Sequence, residues 1–314
     1  MTKPLLLIIT GVSGQNRERL AQHFDVLYVP DAADRPAAIA KRGRAVKAVL
    51  TIGVIGLTAV EMDAMPALEL VCAMGAGYEL IDVAHARQRG IAVANGSGTN
   101  DDSVADHAMG LLLAAVRGIP QNDRACRDGV WRDQVALRPQ VARRRLGIVG
   151  LGTIGLKIAR RAAAFDMAIG YHNRSPREGA PAGYTYFDSL LGMAEWTDFL
   201  VVATPGGPAT KHLVDAEVLQ ALGPLGFLVN VGRGSVVDTE ALASALREGR
   251  IAGAGLDVYE SEPNPPKALI GLDNVVLTPH IAGWSPEAND ASLKRFIDNA
   301  LGHFAGRGVV SPVP

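Results

Sequence analysis

Arg233, Glu262 and His280 each follow a short apolar run, Phe227–Val231, Ala254–Leu256 and Val275–Leu277 in turn. An arginine in such a place offers a planar fork to a carboxylate. A histidine offers a proton near neutral pH, and a carboxylate beside the imidazole keeps it protonated. Taken singly, the three read as a surface arginine, a loop charge and a loop histidine. Taken together they can bind the carboxylate and carbonyl of a small acid and protonate the carbonyl oxygen. That is the chemistry needed when a hydride reaches the carbonyl carbon of a 2-keto acid.

A hydride donor is expected at Leu146–Gly155, read as L-G-I-V-G-L-G-T-I-G. A β-branched run, then Gly150-x-Gly152-x-x-Gly155, then a helical pattern through Leu156, Ile158, Ala159, Ala162 and Ala163 form a dinucleotide-binding fingerprint. Gly150 makes the turn, Gly152 lets a pyrophosphate approach the backbone, and Gly155 lets the helix pack on the strand. Thr153, Ile154 and Gly155 open that helix and present its N–H groups to the phosphates. The next strand, Met167–Tyr171, ends in His172-Asn173-Arg174-Ser175 with no acidic residue to hold ribose hydroxyls. Arg174 and Ser175 suit a 2′-phosphate instead, so NADPH is favoured and NADH is the weaker alternative. Arg174 would also pass as an exposed loop arginine. Asn173, Thr204, Pro205, Thr210, Val231, Gly232 and Gly283 stand at the ends of the same set of strands and complete the expected cofactor contacts.

Strands and helices alternate from the N-terminus: strands at Leu5–Ile9, Val26–Val29, Val46–Thr51, Leu68–Ala73 and Ile91–Ala94, helices at Arg17–His23 and Glu79–Arg89. The alternation predicts open parallel sheets covered by helices, with ligands beyond the C-terminal ends of the strands. Gly53 and Met74-Gly75-Ala76-Gly77 are therefore expected to touch substrate, although the same glycines would serve as plain turns. Asn95–Asn100 reads as a hinge, with Asp101 and Asp102 capping and charging the helix behind it. That helix, Val104–Val116, is apolar nearly all round and should lie deep, between domains or between subunits. Arg117–Pro139 reads as a polar connection. Leu293, Phe296, Ile297, Ala300, Leu301 and Phe304 give the last helix one buried face.

The chain has 314 residues, long for one core, which predicts two domains. Hydrophobic residues make up 48% and charged residues 20%, the profile of a globular protein. The formal net charge of −1 argues against a nucleic-acid or anionic-membrane partner. The basic run Arg143–Arg145 is short and reads as a solvated strand entry. Cys72 and Cys126 have no C-x-x-C partner, so neither a disulfide framework nor a zinc site is expected, and no metal is. Leu5–Ile9 is too short for a signal peptide or a membrane span, leaving the cytoplasm as the expected place.

The motifs also carry a resemblance. G-L-G-T-I-G at Gly150–Gly155, N-V-G-R-G at Asn230–Gly234, G-L-D-V-Y-E-S-E-P at Gly255–Pro263 and T-P-H-I-A-G at Thr278–Gly283 are similar to the D-isomer-specific 2-hydroxyacid dehydrogenase family. M-G-A-G-Y-E-L-I-D at Met74–Asp82 and T-N-D-D-S-V-A-D-H at Thr99–His107 fit the same pattern in the same order. The Asn-Arg-Ser strand ending most resembles the NADPH-dependent glyoxylate/hydroxypyruvate and 2-ketoacid reductase branch. The resemblance implies that Arg233 binds carboxylate and carbonyl, that His280 is the acid/base, and that Glu262 is its partner. It implies that the Met74–Gly77 backbone meets the carboxylate and that Asp257 holds the nicotinamide carboxamide. It further implies a Rossmann cofactor domain, residues 100–283, inserted in a flavodoxin-like substrate domain of residues 1–99 and 284–314, and a homodimer to which Val104–Val116 contributes. Three places depart from the pattern: Thr204-Pro205-Gly206-Gly207 replaces a histidine and a Pro-Leu-Thr run, Asp106 replaces a glutamate, and Trp284 replaces a small residue. Trp284 would narrow the substrate pocket or reach a neighbouring subunit. The reaction expected is reduction of hydroxypyruvate or glyoxylate. The rivals are a larger sugar-derived or aromatic 2-keto acid and, outside enzymes, a cofactor-sensing corepressor.

Overall fold

A computed structural model describes residues 3–313. The chain divides into two compact units, one of residues up to Asn100 together with those from Trp284 onward, the other Asp101–Gly283.

The first unit holds a five-stranded sheet in the order β2-β1-β3-β4-β5, with β1 Leu5–Ile8, β2 Asp25–Tyr28, β3 Val46–Ile52, β4 Leu70–Met74 and β5 Ala92–Ala94. Every pairing is parallel, so this is the flavodoxin-like order. The two-residue period of a strand sorts its side chains. Leu6 and Ile8 are buried with Leu293, Phe296 and Ala300 of the last helix, Pro286–Phe304. Leu5 and Leu7 join Val49, Val71 and Ile39 on the other face. In register Ile52 lies beside Met74, so the loops at Gly53 and Gly75 leave the sheet together.

The second unit holds seven parallel strands in the order β12-β11-β10-β9-β6-β7-β8. They are β6 Arg145–Val149, β7 Ala168–His172, β8 Thr185–Phe187, β9 Phe199–Val202, β10 Phe227–Asn230, β11 Gly253–Leu256 and β12 Val275–Leu277. The order reverses between β6 and β9, the switch point at which a doubly wound sheet takes a dinucleotide. Pairing matches Val149 with Val202, Val202 with Asn230, Asn230 with Leu256 and Leu256 with Leu277. One register line therefore ends five strands together, and every motif loop of this unit starts from it.

Several elements differ from the sequence reading. The helix there runs Asp101–Arg117, so the two aspartates sit inside its first turn. Its apolarity is not all round: Asp102 and Asp106 face out and pair with Lys157 and Arg161. The inner face packs within its own unit, Leu111 against Gly255 of β11 and Ala108 and Leu112 in the same core as Val229 of β10. The polar connection contains a helix, Ile119–Arg127. Its near absence of apolar residues hid it, and Pro120 in the first turn with the Asp123–Arg127 pair supports it. Strand β8 is only three residues long, too short to show a period. Asn95–Asn100, expected as a hinge, is bonded into the first unit at Asn95, Gly96 and Thr99. Among the described residues no helix is long and apolar enough to cross a membrane.

Candidate active site

Asn230 ends β10 and begins the turn that carries Arg233. Its carboxamide accepts the Gly232 N–H at 3.0 Å and donates to the Arg233 carbonyl at 3.0 Å. That closed turn fixes where the arginine leaves the backbone. Gly234 follows because nothing larger fits: a Cβ there would collide with the Tyr259 carbonyl carbon. The Arg233 turn is thereby seated on the loop after β11, and that loop carries Glu262. The Tyr259 N–H donates to Glu262 Oε1 at 2.8 Å, while the Tyr259 hydroxyl bonds the Leu256 and Thr278 carbonyls. Burial, with Asp257 and Glu262 close by, pushes the Tyr259 phenol up, so it remains a donor.

His280 meets this loop directly. Its Nδ1 lies 2.8 Å from Glu262 Oε2, and the side chains are 38% and 22% exposed. The bond to Glu262 holds the imidazolium above its ordinary 6.5, against burial and the Arg233 charge, which both pull it down. Burial pushes Glu262 upward, but the bonds from His280 and the Tyr259 N–H, with the charges of His280 and Arg233, hold it below its usual range. With Nδ1 committed to the carboxylate, Nε2 is the nitrogen left to give a proton. His280 also sits in left-handed backbone, φ 54°. A histidine there is uncommon and needs its surroundings to hold it.

Asp257 does the holding. It is 1% exposed and its carbonyl accepts the His280 N–H at 2.8 Å. Oδ1 accepts the Thr278 hydroxyl at 2.6 Å and the Ile281 N–H at 2.9 Å, and Oδ2 accepts the Ala282 N–H at 2.9 Å. His107 Nε2, from the helix beneath, lies 2.9 Å from the Thr278 hydroxyl. The resemblance assigned Asp257 to a nicotinamide carboxamide. In the structure its carboxylate grips both sides of the His280 loop.

The glycine turn is built for a phosphate. Gly150 has φ +96°, and a Cβ on Gly155 would collide with the Gly150 carbonyl. A Cβ on Gly152 would meet nothing within 4 Å, so open space lies where a pyrophosphate would come. Gly152 caps the helix Thr153–Ala163 without a side-chain bond, leaving the first-turn N–H groups without acceptors. Those donors and that opening fit a dinucleotide. Leu151 is pinned from both sides, its N–H by Asn173 Oδ1 and its carbonyl by Arg177, each at 2.8 Å. Arg174 and Ser175 are exposed beyond β7. Thr204 packs against Gly150 and Gly232, while Thr210 turns its hydroxyl back to the Pro205 carbonyl at 2.9 Å. Val231 is buried.

Gly53 and Met74–Gly77 belong to the first unit, where they meet one another. A Cβ on Gly53 would stand 2.6 Å from the Gly77 carbonyl carbon. Trp284 begins the second segment of that unit and is 77% exposed.

Comparison with known proteins gives this geometry a family. Residues 109–282 match the D-isomer specific 2-hydroxyacid dehydrogenase, NAD binding domain. Over 98% of both chains the sequence is 41% identical to a hydroxyphenylpyruvate reductase of Plectranthus scutellarioides. Over 99% of both it is 38% identical to a 2-ketogluconate reductase of Gluconobacter oxydans. Among solved structures, an NADPH-dependent glyoxylate/hydroxypyruvate reductase of Sinorhizobium meliloti, in complex with NADP and malonate, superposes with a TM-score of 0.91 at 42% identity, covering 99% of this chain and 97% of that one.

The chain belongs to the D-isomer-specific 2-hydroxyacid dehydrogenase family. It is an NAD(P)-dependent oxidoreductase of the kind that reduces 2-keto acids. The sequence reading missed Arg177, Tyr259, Thr278 and His107 of this reductase. Arg177 had a signal, standing three residues past Arg174 on the same loop. The other three act through backbone or buried bonds that no spacing announces.

The pair makes a pH prediction. With protonated His280 as the proton donor, the rate is expected to fall as pH rises through its pKa. Glu262 sets that pKa above 6.5. Glu262→Gln removes the charge and should move the basic limb of kcat/KM to lower pH, with much of the activity regained in acid. A limb that stays in place would remove Glu262 from this role.

Proposed function

We propose that the protein reduces a small 2-keto acid with NADPH, hydroxypyruvate to D-glycerate or glyoxylate to glycolate. The observation that carries the reading is the 2.8 Å His280–Glu262 pair, with the Arg233 charge acting on both groups. When bound, the nicotinamide supplies the hydride. Arg233 takes the substrate's carboxylate and carbonyl oxygen, and His280 delivers the Nε2 proton to that oxygen as negative charge develops there. Before that transfer Glu262 stabilises the imidazolium, and it orients the ring throughout. The Met74–Gly77 backbone offers N–H groups to the carboxylate. Asp101–Gly283 serves as the cofactor domain and the other unit as the substrate domain. The exposed apolar side chains Ile119, Trp131 and Leu137 support a homodimer that covers them.

The NADPH preference rests on Arg174 and Ser175. Replacing Arg174 with Ala removes charge-assisted bonds to a 2′-phosphate and should raise KM for NADPH by about 10- to 100-fold while sparing NADH. An unchanged ratio between the two cofactors would take the 2′-phosphate away from Arg174. The relatives that act on hydroxyphenylpyruvate and 2-ketogluconate favour a second reading, a larger 2-keto acid. Steady-state rates with hydroxypyruvate, glyoxylate, 4-hydroxyphenylpyruvate and 2-ketogluconate decide between them, with chiral chromatography of the product. The highest kcat/KM should fall on one of the first two, hydroxypyruvate giving D-glycerate and glyoxylate giving achiral glycolate. A preference for either larger acid would establish the second reading, and an L-product would contradict both.

A further inference from the structure

We infer that Asn95 and Ser311 form a latch that orients the substrate loop, so that the last residues of the chain set how tightly the carboxylate is bound. This rests on the proposed 2-keto acid reading. In a trans peptide the C=O and N–H point in opposite directions. Fixing the carbonyl of one residue therefore fixes the direction of the next residue's N–H.

Three peptides in the first unit are fixed this way in series. Asn299 is 1% exposed, and its carboxamide oxygen accepts the N–H groups of Val310 and Ser311 at 2.7 and 3.0 Å. Its Nδ2 donates to Ser311 Oγ at 3.0 Å. Ser311 Oγ in turn donates to the Asn95 carbonyl at 2.6 Å. The Asn95–Gly96 peptide, held at that oxygen, points the Gly96 N–H at the Gly75 carbonyl, 2.6 Å away. The Asn95 side chain donates to the next carbonyl, that of Ala76, at 2.7 Å. Both carbonyls of the loop are thus drawn to the latch, and the N–H groups of Ala76 and Gly77 are turned to its opposite side. Two successive N–H groups facing one way make a concave site for an anion. Pro312 bridges Ala94 and the Val313 N–H donates to the Val93 carbonyl, so the tail lies as an antiparallel addition along β5 and cannot rotate away from Asn95.

A carboxylate keeps its charge throughout the reduction. Bonds to it are made equally in ground and transition states, and losing them raises KM while leaving kcat. Asn95→Asp is isosteric and replaces the donor facing Ala76 O with an acceptor. It should raise KM for hydroxypyruvate about tenfold or more, with kcat and the KM for NADPH little changed. Ser311→Ala should raise KM about three- to tenfold, and Ser311→Thr, which keeps the hydroxyl, should restore it. Amide hydrogen exchange over residues 73–80, followed by mass spectrometry, gives a readout independent of turnover. Exchange should quicken in Asn95→Asp and Ser311→Ala and return to the wild-type rate in Ser311→Thr. Wild-type protein that turns over no 2-keto acid would refute the parent reading, while the exchange result would still judge the latch. Unchanged exchange in both variants, or active variants whose loss falls on kcat with KM unmoved, would overturn the latch.

Discussion

Replacing His280 with Asn is expected to lower kcat for 2-keto acid reduction by about 10²- to 10⁴-fold, the usual contribution of a positioned general acid. Asparagine keeps a polar side chain of similar reach on the loop but has no proton to give. Asp257 accepts the backbone N–H groups of residues 280, 281 and 282 through its carbonyl and carboxylate. The loop should therefore keep its place, and NADPH affinity, read by fluorescence titration, should change by less than about threefold, within one bond's worth. The separation of the two effects is the diagnostic. Equal losses of turnover and cofactor binding would mean that His280 supports the fold of the site and not the proton transfer. The variant carries one further cost-free check: left-handed backbone at position 280 suits Asn at least as well as His.

Arg233→Ala is the second large effect, with kcat/KM expected to fall on the order of 10³-fold through two charge-assisted bonds and the stabilisation of a developing oxyanion. Here the loss should divide. The carboxylate bond is uniform and raises KM, whereas the bond to the carbonyl oxygen strengthens as charge builds and lowers kcat. Arg233→Lys should recover part of the loss, since it restores the charge without the planar fork. The residual activity supplies a sign test. The Arg233 charge pulls the His280 pKa down, so its removal should carry the basic limb of the profile to higher pH, opposite to Glu262→Gln. Movement of both variants in the same direction would contradict the shared electrostatics of the three groups. A rise in KM alone, with kcat intact, would confine Arg233 to binding.

The parts of this molecule that were legible in advance share one property: they are written locally. Strands of the sheet interiors are continuous apolar runs, Gly150 is required by its positive φ, and Gly155 by its contact with the Gly150 carbonyl. Arg233, Glu262 and His280 stood out because each follows such a run, and the common register of β6, β9, β10, β11 and β12 turns that placing into proximity. What was not legible depends on bonds between distant residues. Asp257 lies inside a motif, yet its burial and its grip on Thr278, Ile281 and Ala282 come from 21 to 25 residues further on. Asn95 looked like part of a flexible stretch because Asn, Gly and Ser usually mark one, and its bond partners, Ala76 and Ser311, are 19 and 216 residues away. The helix Ile119–Arg127 has no buried residue and so no apolar period to betray it. Composition spoke to partners and compartment only by default, and it placed no atom of the site.

The most direct test of the account is cofactor consumption by the purified protein with hydroxypyruvate, followed at 340 nm in parallel with NADPH and NADH. The account predicts rapid loss of NADPH, little loss of NADH, and D-glycerate as product. No consumption of either cofactor, with hydroxypyruvate, glyoxylate or any larger 2-keto acid, would contradict it.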